Sequence, residues 1–268
     1  MSIEQRVLMT TMSEVIQLRW EAYPPSMMTD CDLAPDPWQS EVLLSDCNRM
    51  LFVCSRQVGK STVAAFMCLH QALCVPDSTC LIFSPSMRQS GEIFRKKVLL
   101  YYNQLGKPIE ATAETQTMLE LENGSRIVSL PGEAATVRGF SAASLIVVDE
   151  AAATSNDLWI ALNPMLAVSQ GKLVCISSPM GQQGWFFDLW KDEGPLWHRT
   201  RVDAYQCPRI NPDWLEEQRT MMPEDAFSQE YLCSFNAPLG CVFSTEALND
   251  MFNDDSIKPL YPNSEWVK

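Results

Sequence analysis

The segment from Cys54 to Thr62 combines residue types that bind phosphate groups. It reads Cys-Ser-Arg-Gln-Val-Gly-Lys-Ser-Thr, and from Gly59 onward it matches the phosphate-binding pattern Gly-x-x-x-x-Gly-Lys-Ser/Thr. Cys54 stands where that pattern has its first glycine. We therefore predict that a nucleotide is bound through the run Ser55, Arg56, Gln57, Val58, Gly59, Lys60, Ser61 and Thr62.

Each part of this loop has a physical reason to meet phosphate. Backbone N–H groups at a helix N-terminus point at anionic oxygens, and the helix dipole adds to the attraction. Gly59 would let the backbone approach a phosphate closely. Lys60 would reach the β- and γ-phosphates, and the Ser61 hydroxyl would bind Mg²⁺. The alternative is an ordinary strand–turn–helix junction with a solvated lysine.

Two adjacent carboxylates, Asp149 and Glu150, follow the apolar run Leu145–Val148. Ligands of open parallel sheets bind beyond the carboxyl ends of the strands, where these side chains are expected. Asp149 would bind Mg²⁺, and Glu150 would orient or deprotonate an attacking water molecule. A simple helix N-terminus also favours carboxylates, but the Gly-Lys-Ser segment upstream favours an ATPase site.

Three polar residues complete the candidate site. Gln39 lies just before the first core strand, and its amide can both donate and accept, so it can pair with the edge of adenine. Ser177 and Ser178 follow the apolar run Lys172–Ile176, where a hydroxyl can sense the γ-phosphate or the attacking water. The alternatives are a packing glutamine at the start of a helix and an ordinary turn.

Two arginines are candidates for stabilising transferred phosphate. Arg56 lies inside the phosphate loop, and Arg138 precedes the Asp149–Glu150 strand, next to Gly139. An arginine delivered to the γ-phosphate of a neighbouring subunit contributes on the order of 10³–10⁵ to the rate in nucleotide hydrolases. Each could equally be a surface arginine, and the sequence leaves that choice open.

The elements that would position these residues alternate along the chain. Short apolar runs predict buried strands at Met50–Cys54, Thr79–Phe83, Leu145–Val148 and Lys172–Ile176, and helical patterns over Ser61–Leu73, Met87–Leu105 and Leu158–Val168 separate them. In the second of these helices, Arg95, Lys96 and Lys97 are expected on the exposed side. Asn123-Gly124 predicts a hairpin between Met118–Leu121 and Arg126–Leu130. This order indicates an α/β fold, a mostly parallel sheet with helices on both faces.

The ends of the chain follow different patterns. Ile3–Tyr23 is expected to form a helix, followed by a loop. Pro212–Arg219 and Pro223–Phe235 each begin with a proline at a permitted first-turn position, so we expect a small helical subdomain there and an irregular tail. The predicted organisation is an N-terminal helix and loop over 1–34, an ATPase core over 35–205, and a helical subdomain with its tail over 206–268.

Composition excludes several classes of protein. The chain has 268 residues, 46% of them hydrophobic, and a formal net charge of -13. It can therefore bury a core, and it is a poor candidate for coating nucleic acid nonspecifically, because such binding neutralises phosphates. No apolar run in the sequence approaches the roughly 18–20 residues that a membrane-spanning helix requires. Ten cysteines without a Cys-x-x-Cys pair, and two histidines, argue against a zinc site and for a reducing compartment.

As an ordered set, these motifs resemble the N-terminal ATPase domain of tailed-bacteriophage terminase large subunits. The resemblance covers roughly Asp36 to Phe243. It rests on Pro-Trp-Gln before the first strand, the loop Ser-Arg-Gln-Val-Gly-Lys-Ser, Val-Arg-Gly-Phe before Leu-Ile-Val-Val-Asp-Glu-Ala, and then Ser-Ser-Pro-x-Gly and Phe-Ser-Gln-Glu-Tyr. The Arg-Gln loop without a first glycine is itself a feature of this family.

The resemblance implies a P-loop NTPase fold of the ASCE type that binds ATP and Mg²⁺. It implies that Lys60 contacts phosphate, that Ser61 and Asp149 bind the metal ion, and that Glu150 is the catalytic carboxylate. It also implies that Gln39 contacts adenine and that Ser178 lies in the segment that couples hydrolysis to movement. Arg138 matches a trans-acting arginine finger, whereas some branches of the family favour the loop arginine, here Arg56.

The resemblance also implies partners and a location. These are double-stranded DNA, the portal and prohead, a small terminase subunit, and a homo-oligomeric ring, pentameric in the family. The setting is the host bacterial cytoplasm during virion assembly, with no membrane. Nuclease activity is not expected, because the nuclease domain of whole large subunits lies beyond the resembling region. A helicase-like ATPase and a nucleotide-binding assembly module without turnover are the alternatives.

Overall fold

One mixed sheet organises the described part of the chain. The structure is a computed structural model and describes residues 14–236 except 138, 141 and 193. Eight strands lie in the order β3-β4-β5-β2-β6-β7-β1-β8. Their bounds are β1 Arg49–Cys54, β2 Thr79–Ser84, β3 Ala111–Glu114, β4 Met118–Leu121, β5 Arg126–Pro131, β6 Leu145–Asp149, β7 Lys172–Ser177 and β8 His198–Val202.

The strand pairing confirms the expected fold class. Every pairing among β1, β2, β5, β6, β7 and β8 is parallel, and only the β3–β4 and β4–β5 pairs are antiparallel. The predicted hairpin is β4–β5, and Gly124 in its turn has a φ of 81°. The sequence pattern missed β3 and β8, because β3 is half exposed and β8 carries alternating charged residues.

Helices cover both faces of the sheet. Residues 14–22 form α1, and the later helices are α2 Ser26–Thr29, α3 Pro37–Leu44, α4 Lys60–Cys74, α5 Met87–Ile93, α6 Leu100–Gln104, α7 Ala134–Val137, α8 Asn156–Ser169, α9 Gly184–Lys191, α10 Pro212–Met221 and α11 Glu224–Leu232. Residues 1–13 and 237–268 lie outside the described residues, so the start of the first helix and the predicted tail stay predictions. The three-part division of the chain also stays a prediction.

Alternating side chains of the central strands divide the core between two faces. Phe52 of β1 packs with the α4 side, in a cluster that includes Phe66 and Trp38. Its neighbour Val53 packs with the α8 and α9 side, in a cluster that includes Leu162. This alternation is the period of two that a strand imposes. Because both faces are buried, β1 reads as an unbroken apolar run.

The helix predicted over Met87–Leu105 is continuous but not uniform. A π-helical stretch, Phe94–Leu99, joins α5 to α6. A π-helical turn holds an extra residue and rotates the side chains that follow, and such turns occur often at functional sites. Arg95 and Lys96 are exposed as expected, whereas Lys97 is half buried and faces a cleft. The expectation that Lys97 would be exposed was therefore wrong.

The parallel register brings three strand ends to one edge of the sheet. Val53 of β1 pairs with Ser177 of β7, and Asp149 of β6 pairs with Ile176. The segments after β1, β6 and β7 therefore begin side by side. Among the described residues, none of the helices combines the length and apolarity that a membrane span requires.

Candidate active site

The loop between β1 and α4 has the backbone of a phosphate-binding turn. Gln57 has a φ of 65° and Gly59 a φ of 96°, and the left-handed region is favourable mainly for glycine. Gly59 is the N-cap of α4. The first N–H groups of a helix have no partner within it, so this end of α4 presents donors to an anion.

Lys60, the first residue of α4, is the centre of the site. The residue is 8% exposed. Its ammonium group donates to Ser178 Oγ at 2.6 Å and to the Cys54 carbonyl oxygen at 3.5 Å, and it lies 3.9 Å from Glu150 Oε1. These partners come from the ends of β1, β6 and β7. The structure therefore brings together three motifs that are far apart in the sequence.

Asp149 and Glu150 differ in environment. Asp149 is 5% exposed. Burial raises the pKa of its carboxyl to about 7, with a further upward contribution from the neighbouring Glu150 charge, and Lys60 opposes the rise. Glu150 adopts a left-handed φ of 51°, which turns the chain sharply after β6, and its side chain is 38% exposed. One carboxylate is thus inside the site and the other borders the cleft.

The oxygen atoms at this edge fit a hard cation. Asp149 Oδ1 is buried and has no hydrogen-bond partner among the described residues, and such an atom calls for an explanation such as an ion. Ser61 lines the adjoining cleft. A carboxylate and a hydroxyl are ligands that Mg²⁺ accepts. The residues present therefore fit the predicted magnesium site, and the assignment stays a prediction.

Two adjoining clefts meet at the phosphate loop and the start of α4. The first has a volume of about 660 Å³. It is lined by Arg56, Gln57, Gly59, Lys60, Ser61, Thr62, Gln89, Lys97, Glu150, Ala153, Ser178, Met180 and Arg209. The second has a volume of about 580 Å³ and shares Gly59, Thr62, Lys97 and Arg209 with the first. A polar cleft next to a less polar one suits a ligand with an anionic end and a flat end.

Gln39 contributes to the second cleft from the N-terminal turn of α3. Its Oε1 accepts a hydrogen bond from the Asp36 backbone N–H at 2.9 Å. A Cβ atom added to Gly59 would lie 2.6 Å from Gln39 Nε2. The missing side chain of Gly59 therefore makes room for Gln39, in addition to freeing the loop backbone. Tyr101 and Pro208 supply flat and apolar surface to the same cleft.

The two serines at the end of β7 connect separate parts of the site. Ser178 Oγ accepts from Lys60, while Ser177 Oγ accepts from the Ala152 backbone N–H at 3.2 Å. Ala152 lies in the turn directly after Glu150. The β7 end thus touches both the phosphate loop and the segment that follows the acidic pair.

Of the two candidate arginines, only Arg56 lies within the described residues. Arg56 forms an ion pair with Glu230 of α11 at 2.5 Å, and its side chain is 68% exposed. Arg138 lies outside the described residues. Arg56 is thus engaged by a carboxylate of α11, although it still borders the first cleft.

Sequence reasoning missed Arg209. This residue lies between β8 and α10, borders both clefts, and donates to both carboxylate oxygens of Asp36 at 2.8 and 2.7 Å. Its hydrogen bonds to Asp36 raise the pKa of the guanidinium above its ordinary value. No local motif marks Arg209, because its partner lies 173 residues away. Lys97 was missed because, next to Arg95 and Lys96, it looks like part of a solvated helix face.

These features together define a P-loop NTPase fold with a nucleotide-type site at the carboxyl edge of its sheet. The sequence profile of the family described as "Terminase large subunit, T4likevirus-type, N-terminal" matches residues 51–250. The chain belongs to that family.

Individual relatives agree with this placement. The terminase large subunit of Escherichia phage T5 is 26% identical over 206 residues, which are 74% of this chain and 46% of that relative. The chain therefore spans about half the length of this relative.

Solved structures share the fold. The large terminase ATPase domain of Thermus phage P74-26 superposes with a TM-score of 0.68 at 22% identity, covering 78% of this chain and 96% of that one. The HK97 bacteriophage large terminase gives a TM-score of 0.63 at 18% identity, covering 75% of this chain and 51% of that one. The large terminase of a further, thermophilic bacteriophage, solved in complex with ATP-γ-S, gives a TM-score of 0.61 at 14% identity, covering 75% of this chain and 53% of that one.

The buried carboxylate generates a prediction about stability. An aspartate whose pKa is about 7 in the folded chain and 3.8 when unfolded binds its proton more tightly when folded. Its contribution to stability is therefore lost as pH rises between those two values. Asp149→Asn should raise the free energy of unfolding of the nucleotide-free, metal-free protein by about 1–3 kcal/mol at pH 8.

Urea unfolding in the presence of EDTA at pH 5 and pH 8 measures this effect. The difference between Asp149→Asn and wild type should be smaller at pH 5. Asp46→Asn, in an exposed loop, is the matched control and should change little. A variant less stable than wild type at pH 8 would contradict the assignment of an uncompensated buried charge.

Proposed function

We propose that the chain is the ATP-hydrolysing motor domain of a phage terminase large subunit, and that hydrolysis drives double-stranded DNA into a prohead. One observation carries the proposal: the buried Lys60 ammonium lies among Cys54, Ser178 and Glu150, at the joint end of three parallel strands. Membership of the terminase family supports the cellular role.

In this proposal the phosphates of ATP enter the first cleft. The N–H groups at the start of α4 and the loop of Ser55–Gly59 surround them, as a helix N-terminus and oriented amides attract anions. Lys60 exchanges Ser178 Oγ for a phosphate oxygen, which is a stronger partner because it is charged. The base occupies the second cleft, beside Gln39 and Tyr101.

Ser61 and Asp149 are the residues that would hold Mg²⁺. The cation, when bound, neutralises charge on the phosphates. It would also compensate the buried Asp149 carboxylate, because a nearby positive charge favours the ionised form. Asp149 Oδ1, buried without a partner among the described residues, supports this assignment.

Glu150 is the proposed catalytic carboxylate. Its side chain is partly exposed, borders the first cleft and lies 3.9 Å from Lys60 Nζ. An ionised carboxylate there accepts a hydrogen bond from the attacking water and orients it towards the γ-phosphate. Asp149, one residue earlier, is too deeply buried to meet that water.

Ser177 and Ser178 are the proposed coupling residues. When Lys60 turns from Ser178 Oγ to phosphate, the end of β7 loses its hydrogen bond to the phosphate loop. Ser177 keeps its bond to the backbone after Glu150. The two serines would therefore transmit the occupancy of the phosphate site to the chain that follows β7, which leads into α9.

Arg138 is the proposed arginine finger, acting on a neighbouring subunit of a ring. The pairing of Arg56 with Glu230 supports this choice, because an arginine engaged by a carboxylate is less available to phosphate. Arg56 would then hold the helical subdomain near the loop. Double-stranded DNA, the portal and prohead, a small terminase subunit, a pentameric ring and the host bacterial cytoplasm complete the proposal, all by family likeness.

The role of Glu150 is tested by its isosteric amide. Glu150→Gln should lower kcat for ATP hydrolysis by about 10²–10⁴ while the affinity for ATP changes by less than about three-fold, because binding does not need the base. Phosphate release and calorimetric titration measure the two quantities. Glu110→Gln, on the exposed surface, serves as the matched control. Turnover by Glu150→Gln at the wild-type rate would refute the assignment.

The trans-acting arginine is tested by mixing two inactive variants. Lys60→Ala cannot bind phosphate productively, and Arg138→Ala should lose on the order of 10³–10⁵ in rate. A mixed ring contains junctions with an intact Lys60 facing an intact Arg138, so hydrolysis should partly return. Light scattering confirms assembly. Assembled mixtures without recovery, or recovery with Arg56→Ala in place of Arg138→Ala, would count against Arg138.

A further inference from the structure

Arg209 joins three segments of the chain that meet at the nucleotide site. Its Nη1 and Nη2 donate to the two carboxylate oxygens of Asp36 at 2.8 and 2.7 Å, and Nη2 also donates to the Val58 carbonyl oxygen at 3.2 Å. Asp36 is the N-cap of α3, and Val58 lies in the phosphate loop. One guanidinium therefore holds both walls of the cleft.

The Asp36 carboxylate depends on that guanidinium. The Asp36 side chain is 5% exposed, whereas that of Arg209 is 50% exposed. A nearly buried carboxylate is costly unless it is paired, and a two-pronged arginine fork is the strongest such pair. Removing Arg209 would leave Asp36 charged and unpaired, so Asp36 and the start of α3 would move towards solvent.

Asp36 in turn fixes the side chain of Gln39. The Asp36 backbone N–H donates to Gln39 Oε1 at 2.9 Å, and Gln39 is 2% exposed. Rotating the amide by half a turn would set its NH₂ group against the Asp36 N–H, donor against donor. Gln39 is therefore held in one of its two amide orientations, with Nε2 towards Gly59.

The fixed orientation has a consequence for base recognition. Adenine presents an amino donor beside the N7 acceptor, whereas guanine presents a carbonyl acceptor beside N7. An amide whose oxygen and nitrogen are fixed can accept from the amino group and donate to N7. If guanine bound in the same position, the Gln39 amide oxygen would face the guanine carbonyl oxygen, which is also an acceptor. An amide that is not held in place could also turn its oxygen towards N7, which would weaken adenine binding, whereas guanine leaves one acceptor mismatched in either orientation.

We propose that Arg209 is a positioning residue that sets the preference for adenine over guanine nucleotides, by holding Asp36 and thereby the amide orientation of Gln39. The inference rests on the proposed binding of nucleotide in these two clefts. Arg209 lies at the start of the helical subdomain, so the base preference depends on how this segment packs against the phosphate loop.

The test is displacement of a fluorescent mant-ATP probe by ATP and by GTP, with Mg²⁺ present. Wild type should bind ATP more tightly than GTP. Arg209→Ala should reduce the ratio of the two affinities at least about ten-fold, mainly through weaker ATP binding. Arg209→Lys should recover part of the ratio, because a lysine can pair with Asp36 but lacks the fork.

Controls separate positioning from loss of fold. Arg219→Ala, in α10 and stacked over Phe227, removes an arginine of the same subdomain and should leave the ratio unchanged. Asp36→Asn keeps the backbone donor to Gln39 and loses the charge. It should also lower the ratio of ATP to GTP affinity. The double variant, Asp36→Asn with Arg209→Ala, should lower this ratio no further than Arg209→Ala alone. Thermal unfolding monitors the stability of every variant.

The remaining outcomes each have one meaning. If ATP and GTP weaken equally in Arg209→Ala, or the ratio is unchanged, the residue is merely structural and the inference is wrong. If wild type does not distinguish the nucleotides, the inference is also wrong, but Glu150-dependent ATP hydrolysis would leave the proposed function intact. If wild type binds neither nucleotide, both fail.

Discussion

A buried ammonium group must be surrounded by acceptors, and Lys60 meets this requirement by gathering the ends of three strands. Its partners are the Cys54 carbonyl, Ser178 Oγ and, at a longer distance, Glu150. No single strand could supply all three, and a parallel sheet does so because its carboxyl ends share an edge. The same arrangement suits phosphate binding, because the Lys60 ammonium can exchange the neutral Ser178 hydroxyl for a charged phosphate oxygen.

The segment that carries α10 and α11 takes part in this arrangement through two arginine–carboxylate pairs. Arg56 reaches from the phosphate loop to Glu230 of α11, while Arg209 reaches from the segment before α10 to Asp36. The first pair is largely exposed and contributes little to stability, whereas the second has a nearly buried carboxylate and is costly to break. The second pair therefore sets the geometry of the cleft walls.

The sequence predicted what local patterns encode. Unbroken apolar runs identified the four buried strands β1, β2, β6 and β7, and the Gly-Lys-Ser and Asp-Glu motifs lay where ligands of such a sheet bind. It could not predict that Lys60 would bond to Ser178, because that contact depends on the strand order. Arg209 and Lys97 were not predicted, because Arg209 acts through a partner 173 residues away and Lys97, next to Arg95 and Lys96, looks like part of a solvated helix face.

A crystal structure of the chain with a non-hydrolysable ATP analogue and Mg²⁺ tests the central claim most directly. We predict that a phosphate oxygen replaces Ser178 Oγ as the hydrogen-bond partner of Lys60 Nζ, with the base in the cleft beside Gln39 and Tyr101. An analogue bound with its phosphates away from Lys60, while the Lys60–Ser178 hydrogen bond persists, would contradict the account.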